Sequence, residues 1–322
     1  MNDRSRLSAI TLSIAAVERD TGLSKDTLRV WERRYHFPTP DRDAIGERAY
    51  TLEQVDKLRI VKRLMDAGHR PGRIVPLAME QLQALTEQTV DQPQRHGAAI
   101  LDSADLRQHL ALLRSHQIPE LRAGLMRLLS RFGVARFVSE VVAPLNVAVG
   151  DAWIRGQMEI FEEHAYTELM QVVLRQAIVG MPEPARSDAP RVLMTTFPGE
   201  QHGLGLLMAE AIFTLEGCYC VNLGVQTPLW DISLAAAAFC SDLVALSFTG
   251  SMNPNQIVDS LTELRSKLPP QVRVWAGGSA PVLHRRPVPG VEAMASLEEV
   301  PRQVQTLWRS ARGEAAEILP PD

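Results

Sequence analysis

The hydrophobic residues of this chain follow three successive patterns, and each predicts a different architecture. Between residues 14 and 77, apolar positions recur at helical spacing in short bursts separated by turn residues. Ile14, Ala15 and Val17 mark a short helix, Ile14–Arg19, closed by the tight turn Thr21-Gly22-Leu23. Ser24 is a good N-cap for a second helix, Lys25–Tyr35, with Thr27 where a capping box takes Glu. Its inward face carries Leu28 and either Val30 or Trp31, and its other faces carry Lys25, Thr27, Arg29, Arg33 and Arg34. Pro38 and Pro40 end it. The turn-rich stretch Asp41–Gly46, followed by Arg48-Ala49-Tyr50, predicts a two-stranded wing. Thr51 then caps a third helix, Leu52–Ala67, apolar at Val55, Leu58, Ile60, Val61 and Leu64; Gly68 stops it, and Arg70–Leu77 predicts another short helix.

The second pattern is longer-range. Asp102–His116 (Leu106, Leu110, Leu113), Pro119–Phe132 (Leu121, Leu125, Leu128, Leu129), Val134–Asp151 and Glu159–Val179 all show helical periodicity. Four such segments with short connections predict a helical bundle. The third pattern begins at Arg191, where short apolar runs alternate with amphipathic ones. Strands are predicted at Arg191–Phe197, Cys218–Leu223, Leu243–Thr249, Val272–Ala276 and, more weakly, Val291–Ala295; helices at His202–Glu216, Leu229–Cys240 and Pro254–Lys267. That alternation predicts a doubly wound parallel sheet.

Polar and proline-bearing stretches supply the boundaries. Gln81–Ala98, with Asp91-Gln92-Pro93 and Gly97, reads as a linker or a frayed helix end, and Met181-Pro182-Glu183-Pro184 with Asp188–Pro190 as the next linker. The expected fold is multidomain: a winged helix-turn-helix over 8–80, a linker over 81–98, a four-helix bundle over 99–183, a flavodoxin-like α/β sheet domain over 188–310 and a tail over 311–322. A length of 322 residues accommodates two or three domains.

Composition adds little until charge is divided along the chain. No apolar run in the sequence reaches membrane-spanning length, and Met1–Ser8 is polar, so a cytoplasmic protein with no membrane partner is expected. Three cysteines are too few for a disulfide framework, and Cys218 and Cys220 share one face of a predicted strand, a core position. Net charge is −4, but residues 1–75 hold 15 Lys+Arg against 11 Asp+Glu, while the remainder holds 19 against 27. A basic N-terminal segment on an acidic body points to a polyanion partner at one end. The second helix, with its basic and hydroxyl side chains, has the form of a recognition helix for a major groove.

Candidate chemistry gathers in Gly199-Glu200-Gln201-His202-Gly203-Leu204-Gly205, between a predicted strand and a predicted helix. The carboxyl end of a strand is where an open parallel sheet places its ligand. A histidine oriented by a carboxylate two residues away is a metal ligand with its supporting shell supplied; alone, it is equally a solvated or core histidine. Ser247 and Gly277-Gly278 end two other strands on the same edge. In the bundle, Trp153 is followed after nine residues by Glu163-His164, which by themselves also read as a core aromatic and a solvated helix face.

Thr27-Leu28-Arg29, Trp31-Glu32-Arg33-Arg34-Tyr35 and Gly46-Glu47-Arg48-Ala49-Tyr50 resemble the hallmark positions of the MerR family of transcription regulators. The resemblance implies DNA contacts from Lys25, Thr27, Arg29, Arg33, Arg34, Tyr35, Arg48 and Tyr50, and a dimer that distorts its operator. Metal-sensing members carry cysteines soon after this domain; this chain has none before Cys218. Glu200-x-His202-x-x-Gly205, Ser247 and Gly277-Gly278 resemble the signature of cobalamin-binding domains. There the histidine is the lower cobalt ligand, and the serine and glycines line the slot for the displaced nucleotide tail. Two positions depart from that pattern: Glu200 stands where Asp is commoner, and Thr249 where Leu is.

The three parts in this order resemble the CarH/LitR type of MerR regulators, over nearly the whole chain. That resemblance implies adenosylcobalamin between bundle and sheet domain, with Trp153, Glu163 and His164 on its upper face. It further implies repression of a double-stranded DNA operator by a homo-oligomer, dimer or tetramer, that light dissociates. Ile154 departs from it: the light sensors place a histidine after the Trp to capture cobalt. Two alternatives stay open, a cobalamin-responsive regulator indifferent to light and a regulator that keeps the fold without the cofactor. A carrier subunit of a cobalamin enzyme would share residues 188–310 but has no use for Arg29, Arg33 and Arg48 on a winged helix, so no enzyme is expected.

Overall fold

Serine caps set the first two helices. In the computed structural model of the chain, which describes residues 11–43, 46–66, 68–90, 103–184, 189–250 and 252–311, Ser13 Oγ accepts from the Ala16 N–H at 3.3 Å and Ser24 Oγ from the Thr27 N–H at 3.1 Å. Each satisfies a donor that the helix itself leaves unpaired. Helix α1, Ile14–Thr21, ends at Gly22, whose φ of 70° makes the turn into α2, Lys25–Tyr35. The Thr27 hydroxyl meets that of Ser24 at 2.8 Å, a hydroxyl-to-hydroxyl contact in place of the bond to the N-cap backbone N–H that a capping-box glutamate makes.

The chain divides into two compact units. The first is formed by residues 1–95 and 150–159, the second by 96–149 and 160–322. In the first, α3 (Leu52–Asp66), α4 (Pro71–Ile74) and α5 (Met79–Val90) join α1 and α2. Val55, Leu58, Val61 and Leu64 bury one face of α3 against Val17, Leu28, Trp31 and Leu82. Trp31 takes the inward position and Val30 stays 42% exposed. Arg59 of α3 grips the Asp20 carboxylate of α1 through two nitrogens, at 2.8 and 2.7 Å. A three-stranded antiparallel sheet, ordered β1-β3-β2, completes the unit: β1 Thr11–Ser13, β2 Asp41–Arg42 and β3 Arg48–Thr51.

Two features correct the sequence reading here. Strand β1 was not expected, because three residues are too few to show alternation. Residues 81–90, expected as a linker or a frayed helix end, form a helix that packs: α5 buries Leu82, with Leu85 packed behind it. Residues 91–98 lie outside the described residues, as do the parts of other expectations that fall on 8–10, 44–45, 67, 99–102, 185–188 and 312–322.

The second unit opens with α6 (Ser103–Arg114) and α7 (Ile118–Phe137), which passes through a π-helical turn, Val138–Val142, into α8 (Ala143–Ile154), whose residues from 150 on count with the first unit; α9 is Ile160–Val179. Gly133, at φ 75° and ψ 169°, breaks α7 between the two helices that the sequence predicts there. The run Ile118–Ile154 is long and apolar enough to cross a membrane by length and composition alone. Its Leu121, Leu125, Phe137, Val138, Val141, Val142 and Leu145 are buried in the second unit instead.

The sheet has five parallel strands in the order β5-β4-β6-β7-β8: β4 Arg191–Thr195, β5 Tyr219–Asn222, β6 Leu243–Phe248, β7 Arg273–Gly278 and β8 Glu292–Ala293. Helices α10 (Leu204–Leu215), α11 (Leu229–Ala238), α12 (Pro254–Lys267), α13 (Val282–Arg285) and α14 (Val300–Ala311) connect and close it. Alternation along the strands separates two faces. Leu193, Val244, Leu246, Phe248 and Val274 pack on Ile232 of α11 and on Ile257 and Leu261 of α12. On the other face Trp275 stacks on Phe213 of α10, with ring centroids 5.7 Å apart. Each fully buried Leu or Phe here stabilises the sheet by about 1.5–3 kcal/mol. Parallel strands clad on both faces give the doubly wound α/β architecture.

Candidate cofactor site and nucleic-acid face

The strand order reverses at β4. The chain leaves β4 for β5 on one side and returns to β6 on the other, so the carboxyl ends of β4 and β6 flank a crevice of the kind that binds ligands in such sheets. The loop after β4 is braced there. Thr196 Oγ1 donates to the Glu200 carbonyl at 2.7 Å and accepts from the Gln226 N–H at 2.8 Å.

That bracing holds Glu200 with its side chain fully buried and both oxygens engaged. Oε1 accepts from the His202 backbone N–H at 3.0 Å and from Nδ1 at 2.6 Å. Oε2 accepts from the Thr249 N–H at 2.7 Å and from its hydroxyl at 2.8 Å. The two positions that depart from the cobalamin-binding signature are thus in contact. Burial pushes the Glu200 carboxyl up, but the hydrogen bonds from His202 and Thr249 outweigh it and hold the group below its ordinary value. An ionised carboxylate only accepts, so Nδ1 carries the proton and the ring's lone pair lies on Nε2. The His202 side chain is 56% exposed. One exposed imidazole, with its tautomer fixed by a buried carboxylate, is a donor set that suits an axial cobalt ligand.

The small residues are placed beside it. Ser247 and Gly277 are register partners across β6 and β7, and alternation puts both on the α10 face of the sheet. A Cβ on Gly205 of α10 would come within 3.1 Å of Ser247 Oγ. A Cβ on Gly277 would meet only Met294 Cβ, at an ordinary 3.7 Å. Gly278 differs: φ is 109°, and a Cβ would run into the Phe248 carbonyl. The fold itself therefore requires glycine at 278, whereas at 277 the neighbours leave room.

Glu163 and His164 occupy the first turn of α9 in the second unit. Glu163 Oε2 lies 2.7 Å from His164 Nδ1, and its Oε1 accepts from the Thr167 hydroxyl at 2.7 Å. Trp153 belongs to the first unit. There the Arg63 guanidinium of α3 lies over its ring, 5.6 Å from the centroid, and burial lowers the Arg63 pKa. Gly156, at φ 67°, brings the backbone so close that a Cβ would come 2.8 Å from Arg63 Nη1.

On α2, Arg29, Arg33 and Arg34 are exposed, while Lys25, Thr27 and Tyr35 are half-buried. Arg29 pairs with Asp26 at 3.1 Å, Lys25 with Glu18 at 3.5 Å, and Arg34 lies over the Tyr35 ring. Exposed pairs of this kind are worth about 0–1 kcal/mol and are readily exchanged for phosphate. Arg48 is held by Glu32 at 2.8 Å, which raises its pKa. Tyr50 is fully buried; its hydroxyl has no hydrogen-bond partner among the described residues, and burial raises its pKa.

Comparison with known proteins agrees with both halves. Residues 12–78 match the MerR HTH family of regulatory proteins, and residues 106–178 match a B12 binding domain. The HTH-type transcriptional repressor CarH of Myxococcus xanthus is 30% identical over 275 residues, spanning 82% of this chain and 87% of that protein. The chain belongs to the MerR family. The HTH-type transcriptional repressor CarA, also from Myxococcus xanthus, is 27% identical over 310 residues, or 94% of this MerR-family chain and 98% of CarA. Both relatives are transcriptional repressors rather than enzymes. A monomethylamine corrinoid protein of Methanosarcina barkeri covers 63% of the chain and 96% of its own length, with 16% identity and a TM-score of 0.48.

In this MerR-family chain the B12 match runs through helices α6–α9. One residue that engages a candidate position, Arg63, and one contact, that of Thr249 with Glu200, escaped the sequence reading. Arg63 gave no signal, being one basic residue among several on α3. Thr249 did: it is a hydroxyl one residue past the end of β6, the strand paired with β4, and His202 lies in the loop that follows β4.

Proposed function

We propose that the chain is a DNA-binding repressor that holds adenosylcobalamin and uses the state of that cofactor to set its oligomeric form and its grip on an operator. The observation that carries this reading is the buried Glu200 locking the His202 tautomer at the switch point of the sheet. His202 Nε2 would hold the cobalt, oriented by Glu200. Gly205, Ser247, Gly277 and Gly278 would flank the nucleotide tail, and Trp153, Glu163 and His164 would complete the cofactor's contacts. The helices over 99–183 cap the cofactor, and the sheet domain over 188–310 seats it. When bound, the cofactor would supply a visible chromophore and a light-sensitive cobalt–carbon bond.

At the other end, the domain over 8–80 presents α2 to the major groove through Thr27, Arg29, Arg33 and Arg34, with Lys25 and Tyr35 at its margins. The β2–β3 hairpin serves as a wing, bringing Arg48 toward flanking phosphates; Tyr50, expected beside it, is fully buried in the core of the unit instead. A dimer or tetramer sets how many such domains engage one operator, so a change of assembly changes avidity.

The test is a visible spectrum and a size-exclusion run of protein incubated with adenosylcobalamin in the dark, repeated after green light. A corrinoid spectrum with a larger species that dissociates on illumination is the expected result, and His202→Ala should weaken uptake and alter the spectrum. Protein that takes up no corrinoid overturns the reading. Ile154 favours a second reading, since a residue that cannot ligate follows Trp153. In that case the regulator responds to cobalamin but not to light, and its assembly and DNA affinity are the same before and after illumination.

A further inference from the structure

We infer that Thr249 is a positioning residue for the His202 imidazole, acting through Glu200, and that its hydroxyl is what matches Glu200 to this site. The inference rests on the reading of His202 as the cobalt ligand.

The geometry is specific. Residue 200 lies in the loop after β4, and residue 249 follows β6, the strand paired with β4 on the side away from β5. The Glu200 side chain spans that gap, with one oxygen on each side. A buried carboxylate needs all its lone pairs occupied to remain ionised and fixed. Here four donors do so: the two N–H groups of His202 on Oε1, and the N–H and O–H of Thr249 on Oε2. The backbone N–H would come from any residue at 249 except proline. The hydroxyl comes only from Thr or Ser. Its oxygen also lies 3.3 Å from His202 Nδ1, so it bounds the imidazole edge as well as the carboxylate.

Removal of the hydroxyl would leave Oε2 with one donor from the protein. The carboxylate would then be free to rotate about its terminal bond, and Oε1 would no longer be aimed at Nδ1. An aspartate at 200 is shorter by one C–C bond, about 1.5 Å, and could not keep both sides. Glu200 and Thr249 therefore work as a pair, and the orientation and donor strength of His202 depend on both.

The experiment compares wild type with Thr249→Val, which is nearly isosteric and keeps the backbone N–H, and with Thr249→Ser, which restores the hydroxyl. Thr249→Ala repeats the deletion with less bulk should the valine disturb folding. The first readout uses cofactor-free protein: the 15N shifts of the His202 ring at a pH where it is neutral. Wild type and Thr249→Ser should show the Nδ1–H tautomer, and Thr249→Val and Thr249→Ala a mixture of tautomers. The second is adenosylcobalamin affinity in the dark, which should fall about 10-fold or more in the two deletion variants and recover in the serine variant. A ring that stays wholly Nδ1–H in both deletion variants overturns the inference, whatever the cofactor does. A tautomer shift in protein that takes up no corrinoid sustains the positioning role and sinks the cobalamin reading instead.

Discussion

The Arg63 guanidinium lies over the Trp153 indole, 5.6 Å from its centroid, so a helix of the N-terminal domain holds an aromatic residue some ninety positions further along the chain. A cation over an indole face is worth about 0.5–2 kcal/mol, more as the cation is desolvated. Arg63→Ala in the cofactor-free protein should move the Trp153 indole N–H resonance, identified by its loss in Trp153→Phe. The Trp31 resonance, from the core of the same unit, should stay. An unmoved Trp153 signal would show that the contact is not kept in solution.

The two adjacent glycines of β7 should behave differently. Gly278→Ala places a side chain at φ 109° and against the Phe248 carbonyl. Strain of that kind costs on the order of 1–3 kcal/mol before the overlap is counted, so a clear drop in thermal midpoint is expected. Gly277→Ala meets nothing closer than 3.7 Å and should melt near the wild-type temperature. Under the proposed function it should nevertheless lose corrinoid uptake, because the new methyl stands beside Ser247. Native melting with native uptake would remove Gly277 from the site.

Tyr50 carries a buried hydroxyl without a partner among the described residues. Tyr50→Phe removes that desolvated group and should raise stability, by about 1 kcal/mol given the usual penalty for such groups. The pH dependence gives a second sign. Burial raises the Tyr50 pKa above the value of about 10 in an unfolded chain. Above that pH the unfolded state has released the proton and the folded state has not, so wild-type stability falls as pH rises further. Tyr50→Phe should soften that alkaline loss in urea titrations. A gel shift on the same variant separates a hydroxyl that stays in the core from one that turns toward a phosphate, since only the latter weakens DNA binding.

Arg33 is exposed on the face of α2 that carries Arg29. Arg33→Ala should weaken operator binding, and if the contact is to phosphate the slope of log affinity against log salt should become shallower by about one. Equal affinity and an unchanged slope in a gel-shift titration would show that α2 does not face DNA through this residue.

How much of this was legible in the sequence depended on how local each determinant is. Ser24 as a cap, Gly22 as a turn and the break at Gly133 are set by neighbours a few residues away, and the structure has them where the pattern puts them. Helix α14 and strand β1 escaped notice, the latter because three residues show no period. Helix α5 was hidden by its polarity, since among its described residues Leu82 is the one apolar side chain that is buried. The Glu200–His202 contact was readable at a spacing of two. The Thr249–Glu200 contact was not, because only the strand order brings residues 49 positions apart together.

The glycine that ends β7 has a consequence for how such a site can change. At Gly278 the surface beside the crevice is main chain lying against main chain, with the Phe248 carbonyl in the place a side chain would take. A surface made of peptide groups offers substitution nothing to exchange: any replacement there is paid for in folding before it can alter what is bound. Variation in ligand preference is therefore confined to the positions that do carry side chains around the crevice, chiefly the loop after β4 and the first residue beyond β6. At this one position the edge of the crevice is fixed by the fold, and selection can revise only its neighbours.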